Sequence, residues 1–87
     1  MAKYRIEISR TAEKRLKKLR QEDQRRMVKA MVSLGDDPYP KGSRKLTGYD
    51  DVFRIRVGEF RIIYSVSAKK LIIIILKIGR RKGVYRR

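Results

Sequence analysis

The stretch FRIRVGEFRIIY, residues 53–64, restricts the fold of this chain more than any other. Gly58-Glu59 is the two-residue Gly-X signal of a type II′ turn, so Val57 is expected to pair with Phe60 and Arg56 with Arg61. Arg54 then falls beside them. Side chains alternate along a strand, which sends Phe53, Ile55, Val57, Phe60, Ile62 and Tyr64 to the opposite face as core. Like charges placed opposite one another weaken a sheet, so three arginines on one face need a reason beyond stability. A phosphate would supply one, because the guanidinium fork matches phosphate oxygens. The competing reading is a solvated face whose long stems cover apolar surface.

Around this hairpin the pattern is that of one small domain, residues 1–87. Tyr4 to Ile8 alternates as a half-buried strand. Ser9 or Thr11 can cap a first helix with Ala12, Leu16 and Leu19 on its apolar stripe. A break near Gln21 precedes a second helix, roughly Glu22 to Leu34, with Met27, Ala30, Met31 and Leu34 inward and Gly35 placed to stop it. The methionines read as core filler. Asp36 to Asp51 is rich in turn residues and reads as a loop, closed over the sheet by Tyr39 or Leu46. Leu71 to Ile78 is a continuous apolar run, expected as a central strand covered on both faces. The expected fold is α+β: a small mixed β-sheet in the order β-α-α-β-β-β, with an N-terminal helical hairpin packed on one face.

Composition narrows the function classes. The chain has 87 residues, with Lys+Arg 25 against Asp+Glu 9 and a formal net charge of +16. A field of that sign favours nucleic acid, an anionic membrane or an acidic protein as partner. Cysteine and histidine are both absent. Thiolate chemistry, disulfides and cysteine zinc sites are thereby excluded, a reducing cytoplasmic location is expected, and the commonest general base is missing. MAKYRIEISR lacks the apolar run of a secretory signal, and LIIIIL is too short to span a bilayer, so no membrane partner is expected.

The tail GRRKGVYRR sets Arg80, Arg81, Lys82, Arg86 and Arg87 around Tyr85. Charge interleaved with a ring suits single-stranded RNA; the plainer reading is a disordered basic tail. Leaving the last strand, this tail can reach the sheet end that carries the arginines. The pairs Asp36-Asp37 and Asp50-Asp51 fit turns better than a magnesium or calcium loop, so neither a metal nor a cofactor is expected. Glu59 sits in the turn with nothing nearby to single it out as a base.

KLTGYDDVFRIRVGEFRIIYSV and IGRRKGVYRR together resemble the RelE/ParE toxin superfamily, whose members often carry K-L-x-G, then Y-R-I-R-x-G-x-Y-R-x-x-Y, and a G-H-R-R-x-x-Y ending. The similarity is best over roughly Lys45 to Arg86. The RelE branch implies a ribosome-dependent endoribonuclease that cuts messenger RNA in the decoding site and is neutralised by a small antitoxin. Its catalytic positions fall on Arg54, Arg56, Arg61, Arg81 and Tyr85, and Lys45, Arg80, Lys82 and Arg86 complete the expected RNA-contacting set. Some relatives have lysine at positions 54 and 56, and many have histidine at position 80. Arginine effectively cannot deprotonate, so Arg54 and Arg56 are expected to hold charge rather than remove a proton.

The resemblance implies attack by a ribose 2′-hydroxyl on the adjacent phosphate, with no metal, and a hetero-oligomer with an acidic RelB-like antitoxin. Two other readings stay open: a ParE-like inhibitor of DNA gyrase, and a non-catalytic RNA-binding module.

Overall fold

The computed structural model describes residues 3–80. Strand β1 (Arg5–Ile8) leads into helix α1 (Arg10–Lys17) and then helix α2 (Gln21–Asp36); β2 (Arg44–Lys45), β3 (Val52–Val57), β4 (Phe60–Ser67) and β5 (Ile72–Arg80) follow. The sheet order is β1-β5-β4-β3-β2. β1 runs parallel to β5 and the remaining pairs are antiparallel, so the sheet is mixed, as expected. The architecture adds one strand to the expected β-α-α-β-β-β order. Arg44 and Lys45, inside the segment read as a loop, pair with Arg54 and Phe53.

The helices lie on one face of the sheet. Ala12 of α1 and Met27, Met31 and Leu34 of α2 bury against Ile55, Phe60, Ile62, Tyr64, Val66, Ile73, Ile75 and Ile78. Both methionines are therefore core, and the alternate residues of the hairpin supply the floor. Ser9 caps α1, its side chain accepting from the Ala12 N–H. Tyr39 meets Phe53 edge-on at 5.0 Å and closes the rim of the core. Beneath it, the fully buried Tyr64 hydroxyl donates to the Pro38 carbonyl at 2.7 Å.

Three expectations are corrected. Gly35 does not stop α2: it is buried inside the helix, and its carbonyl accepts from the N–H groups of Lys3 and Tyr4, each at 2.9 Å. The helix ends at Asp37 with φ −144 and ψ 99, because a residue preceding proline, here Pro38, is driven out of the helical region. β5 starts at Ile72 rather than Leu71, which takes φ 57 in the turn before it. β5 is also covered on one face only. With both helices on the same side, Ile74 on the other side is 36% exposed.

The hairpin has the expected register. Val57 pairs with Phe60 and Arg56 with Arg61. Gly58 has φ 61, whereas Leu71 is the only non-glycine with positive φ among the described residues. One left-handed position, at the first turn residue, is what a type II′ turn requires.

Candidate nucleic-acid interface

Alternation along β3 and β4 turns Arg54, Arg56 and Arg61 away from the helices onto the sheet's uncovered face, as the sequence pattern indicates. Arg54 and Arg61 are half-buried and Arg56 is exposed. The structure adds a fourth arginine that sequence reasoning missed. Arg44 of β2 is the direct antiparallel partner of Arg54. Two like-charged cross-strand pairs, Arg44 with Arg54 and Arg56 with Arg61, thus stand side by side. The other cross-strand neighbours are Ile63 beside Arg54 and Gly79 beside Arg61, so none of the direct partners is acidic. Gly79 has no side chain to crowd Arg61.

Between these residues lies a cavity of about 320 Å³ lined by Gly42, Arg44, Arg54, Ile55, Arg56 and Arg61. Four arginines line this open concavity, and a guanidinium makes charge-assisted N–H···O contacts about twice as strong as neutral ones. Each like-charged pair weakens the isolated sheet by roughly 0.2–1 kcal/mol.

Lys45 lies one residue from Arg44, and that residue matters: its cross-strand partner is Phe53, whose side chain belongs to the helix-side face. Arg44, not Lys45, stands beside Arg54. Because residues 36–51 read as a loop, no alternation was available to choose between the two. Arg80 is likewise separated from the arginine face. It pairs with Phe60 across β4, its guanidinium carbon sits 5.3 Å from the centre of the Phe60 ring, and Nη1 donates to Glu59 Oε1 at 2.9 Å. The pairing does bring the end of β5 beside the hairpin turn, where the tail was expected to depart. Arg81, Lys82, Tyr85 and Arg86 lie outside the described residues.

Among the described residues no cluster of three or more His, Cys, Asp or Glu side chains could hold a metal ion, and no helix is long and apolar enough to cross a membrane.

Fold and site together define a class: small basic α+β proteins with helices on one sheet face and a cluster of arginines on the other. Comparison with known proteins narrows it. Residues 6–85 match the family described as the ParE toxin of the type II toxin-antitoxin system parDE. A Methanocaldococcus jannaschii protein assigned as toxin RelE1 is 37% identical over 87 residues, covering 97% of each chain. The RelE–RelB complex from Pyrococcus horikoshii OT3 matches with a TM-score of 0.82 at 34% identity, covering 91% of this chain and 96% of that chain. The intact Escherichia coli RelBE toxin-antitoxin complex has a TM-score of 0.78 at 23% identity, covering 88% of this chain and 95% of that one, and shares the fold. The chain belongs to the RelE/ParE superfamily, as a RelE-like toxin of a type II toxin-antitoxin system.

Proposed function

We propose that this toxin is an endoribonuclease that cleaves messenger RNA on the ribosome and acts in the cytoplasm. The observation that carries the reading is the quartet Arg44, Arg54, Arg56 and Arg61 around one open cavity on the uncovered sheet face. In the reaction the ribose 2′-oxygen forms a bond to phosphorus while the bond from phosphorus to the 5′-oxygen breaks. The 2′-hydroxyl loses its proton, the departing 5′-oxygen gains one, and a 2′,3′-cyclic phosphate remains, which can open to a 3′-phosphate. Charge builds on the phosphoryl oxygens, where Arg61, with Arg54 and Arg56, stabilises it electrostatically. Arg44 extends the contact along the strand of RNA. Arg81 is assigned to the phosphate near the leaving oxygen, and Tyr85 to base stacking or proton relay. No step draws on a metal ion.

Histidine is absent from the chain, and arginine is a poor base. Much of the acceleration therefore comes from orienting the 2′-oxygen in line with the scissile bond, and the ribosome is the source of that orientation. Free RNA is expected to be cut poorly. An acidic antitoxin is the expected inhibitor, as the +16 charge favours it and the archaeal and bacterial RelE relatives were solved with RelB. The test compares free and ribosome-bound messenger RNA with wild type and Arg61→Ala. Codon-phased cuts that depend on Arg61 support the reading, and an unimpaired variant removes Arg61 from the site.

A second reading, inhibition of DNA gyrase, is favoured by the ParE description of the matching family. A supercoiling assay beside the cleavage assay separates the two: gyrase inhibition with intact messenger RNA reverses the order. If neither occurs and expression leaves growth unaffected, the chain is a non-catalytic RNA-binding module.

A further inference from the structure

Lys77 is the one charged residue in the apolar run Leu71 to Ile78, and the strand register places it on the same sheet face as the arginines. Its partner on β4 is Ile63, which pairs in turn with Arg54, itself the partner of Arg44. One row across the sheet therefore reads Arg44, Arg54, Ile63, Lys77. The neighbouring row reads Arg56, Arg61, Gly79. Strands lie about 4.8 Å apart, which sets Lys77 roughly 10 Å from Arg54 at the backbone, and the diagonal from Lys77 to Arg61 is about 7–8 Å. Both gaps are within reach of long side chains. β1 stops pairing with β5 at Ile75, so Lys77 stands exposed at the sheet margin, and among the described residues its ammonium makes no ion pair. The arginine cavity is lined from β2, β3, β4 and the loop at Gly42, and Lys77 stands just beyond it on the β5 side.

We infer that Lys77 is a further catalytic residue of the proposed cleavage, the acid that protonates the departing 5′-oxygen. The inference rests on the nuclease reading. That reaction releases an oxygen that has to gain a proton, yet histidine is absent and every other cation in the two rows is an arginine, which effectively cannot give a proton up. A lysine ammonium carries a proton near neutral pH and can hand it over. As the bond from phosphorus to the 5′-oxygen breaks, its electron pair stays on that oxygen, which takes a proton from Nζ of Lys77. The amine left behind recovers a proton from water, and water accepts the one lost by the 2′-hydroxyl. The arginines hold the phosphate, while Lys77 meets the group that leaves toward β5.

The test uses the full-length protein, ribosomes and a messenger RNA whose scissile linkage carries either the natural 5′-oxygen or a 5′-sulfur, with single-turnover rates read for each. Sulfur departs as a thiolate and needs no proton. Lys77→Met keeps the stem and removes the ammonium, and is expected to slow cleavage at oxygen by about 100-fold or more, the size of a positioned acid. At sulfur it should cut nearly as fast as wild type. Lys77→Arg restores the charge but not a transferable proton, so it should stay slow at oxygen. Arg61→Ala, which removes charge stabilisation, should be slow on both substrates. The inference fails if Lys77→Met cuts the oxygen substrate like wild type, which would leave Lys77 as a charge guarding a sheet edge. It also fails if Lys77→Arg recovers the full rate, or if the Lys77→Met defect is equal at oxygen and sulfur, either of which would make Lys77 a phosphate contact only. A wild type that cuts neither substrate overturns the nuclease reading and this step with it, whereas a wild type that cuts beside unaffected Lys77 variants overturns this inference alone.

Discussion

Ser9 donates a 2.9 Å hydrogen bond from its hydroxyl to the carbonyl of Leu76, a residue 67 positions away in the chain. The same oxygen accepts from the Ala12 N–H at 3.1 Å. Leu76 is the residue left without a partner where the β4–β5 register slips, since Ile63 pairs with Lys77 and Tyr64 with Ile75. The slip keeps Ile73, Ile75 and Ile78 all in the core despite their uneven spacing. One hydroxyl therefore caps α1 and ties down the bulge that carries β5 toward the hairpin.

Ser9→Ala is expected to lose about 1–2.5 kcal/mol of stability, roughly 1 for the cap and up to about 1.5 for the bulge contact. Ser9→Asp separates the two contributions. A carboxylate accepts from Ala12 but has no proton to donate to Leu76, so only the cap should be retained. Urea unfolding of both variants checks this.

Burial of Tyr64 pushes its hydroxyl up to about 12 from the ordinary 10.0. The folded state holds this proton more tightly than the unfolded chain, so the stabilisation is complete below pH 10 and is lost as pH rises from 10 toward 12. Two pH units correspond to about 2–3 kcal/mol. Tyr64→Phe should lack this part of the alkaline fall. Near pH 7 it should cost about 1–2 kcal/mol through the lost bond to Pro38. Denaturant midpoints across pH 7–12 measure both.

Arg61→Ala is expected to reduce ribosome-dependent cleavage by roughly 100-fold or more through the turnover rate, the size typical of removing one preorganised donor to a developing anion. Arg61→Lys should recover only part of it, because an ammonium keeps the charge and loses the fork. Single-turnover cleavage at saturating ribosomes isolates this step.

Arg56→Thr should impair RNA binding while leaving stability unchanged or raising it by about 0.2–1 kcal/mol, since it relieves the pairing with Arg61 and adds a good strand former. Opposite directions for affinity and melting temperature would mark Arg56 as a residue kept for its ligand. A parallel loss of both would give it a structural role instead.

Gly58→Ala is expected to cost about 1–2 kcal/mol. Its φ is 61, and a Cβ there would sit 2.9 Å from Nη1 of Arg26, although that end of a long side chain can move. Gly58→Asn should be tolerated better, because asparagine enters the left-handed region more readily. Thermal unfolding of the two variants orders them.

Local pattern made the hairpin, the helical pair and the arginine face legible in advance. Gly58-Glu59 sets a register by turn geometry alone, and alternation then assigns each side chain a face. The same logic failed at Arg44 and Lys45, because two residues are too few to display a period. It failed again at Gly35, where the pre-proline position of Asp37 decides the helix end. Ile74 shows a third limit. An apolar run says that a strand is buried somewhere, but not whether one or both of its faces are covered.

The sequence alone determined the charge, which is composition, and both helices, every strand except β2, the turn and the three hairpin arginines, because these follow from patterns between residues close in the chain. Only the tertiary structure decided that Arg44 joins them and Lys45 does not, that Arg80 turns to the helix layer beside Glu59, and that β5 bulges at Leu76. Those outcomes depend on pairings between distant segments, where a one-residue change of register moves a side chain through the sheet to the other face.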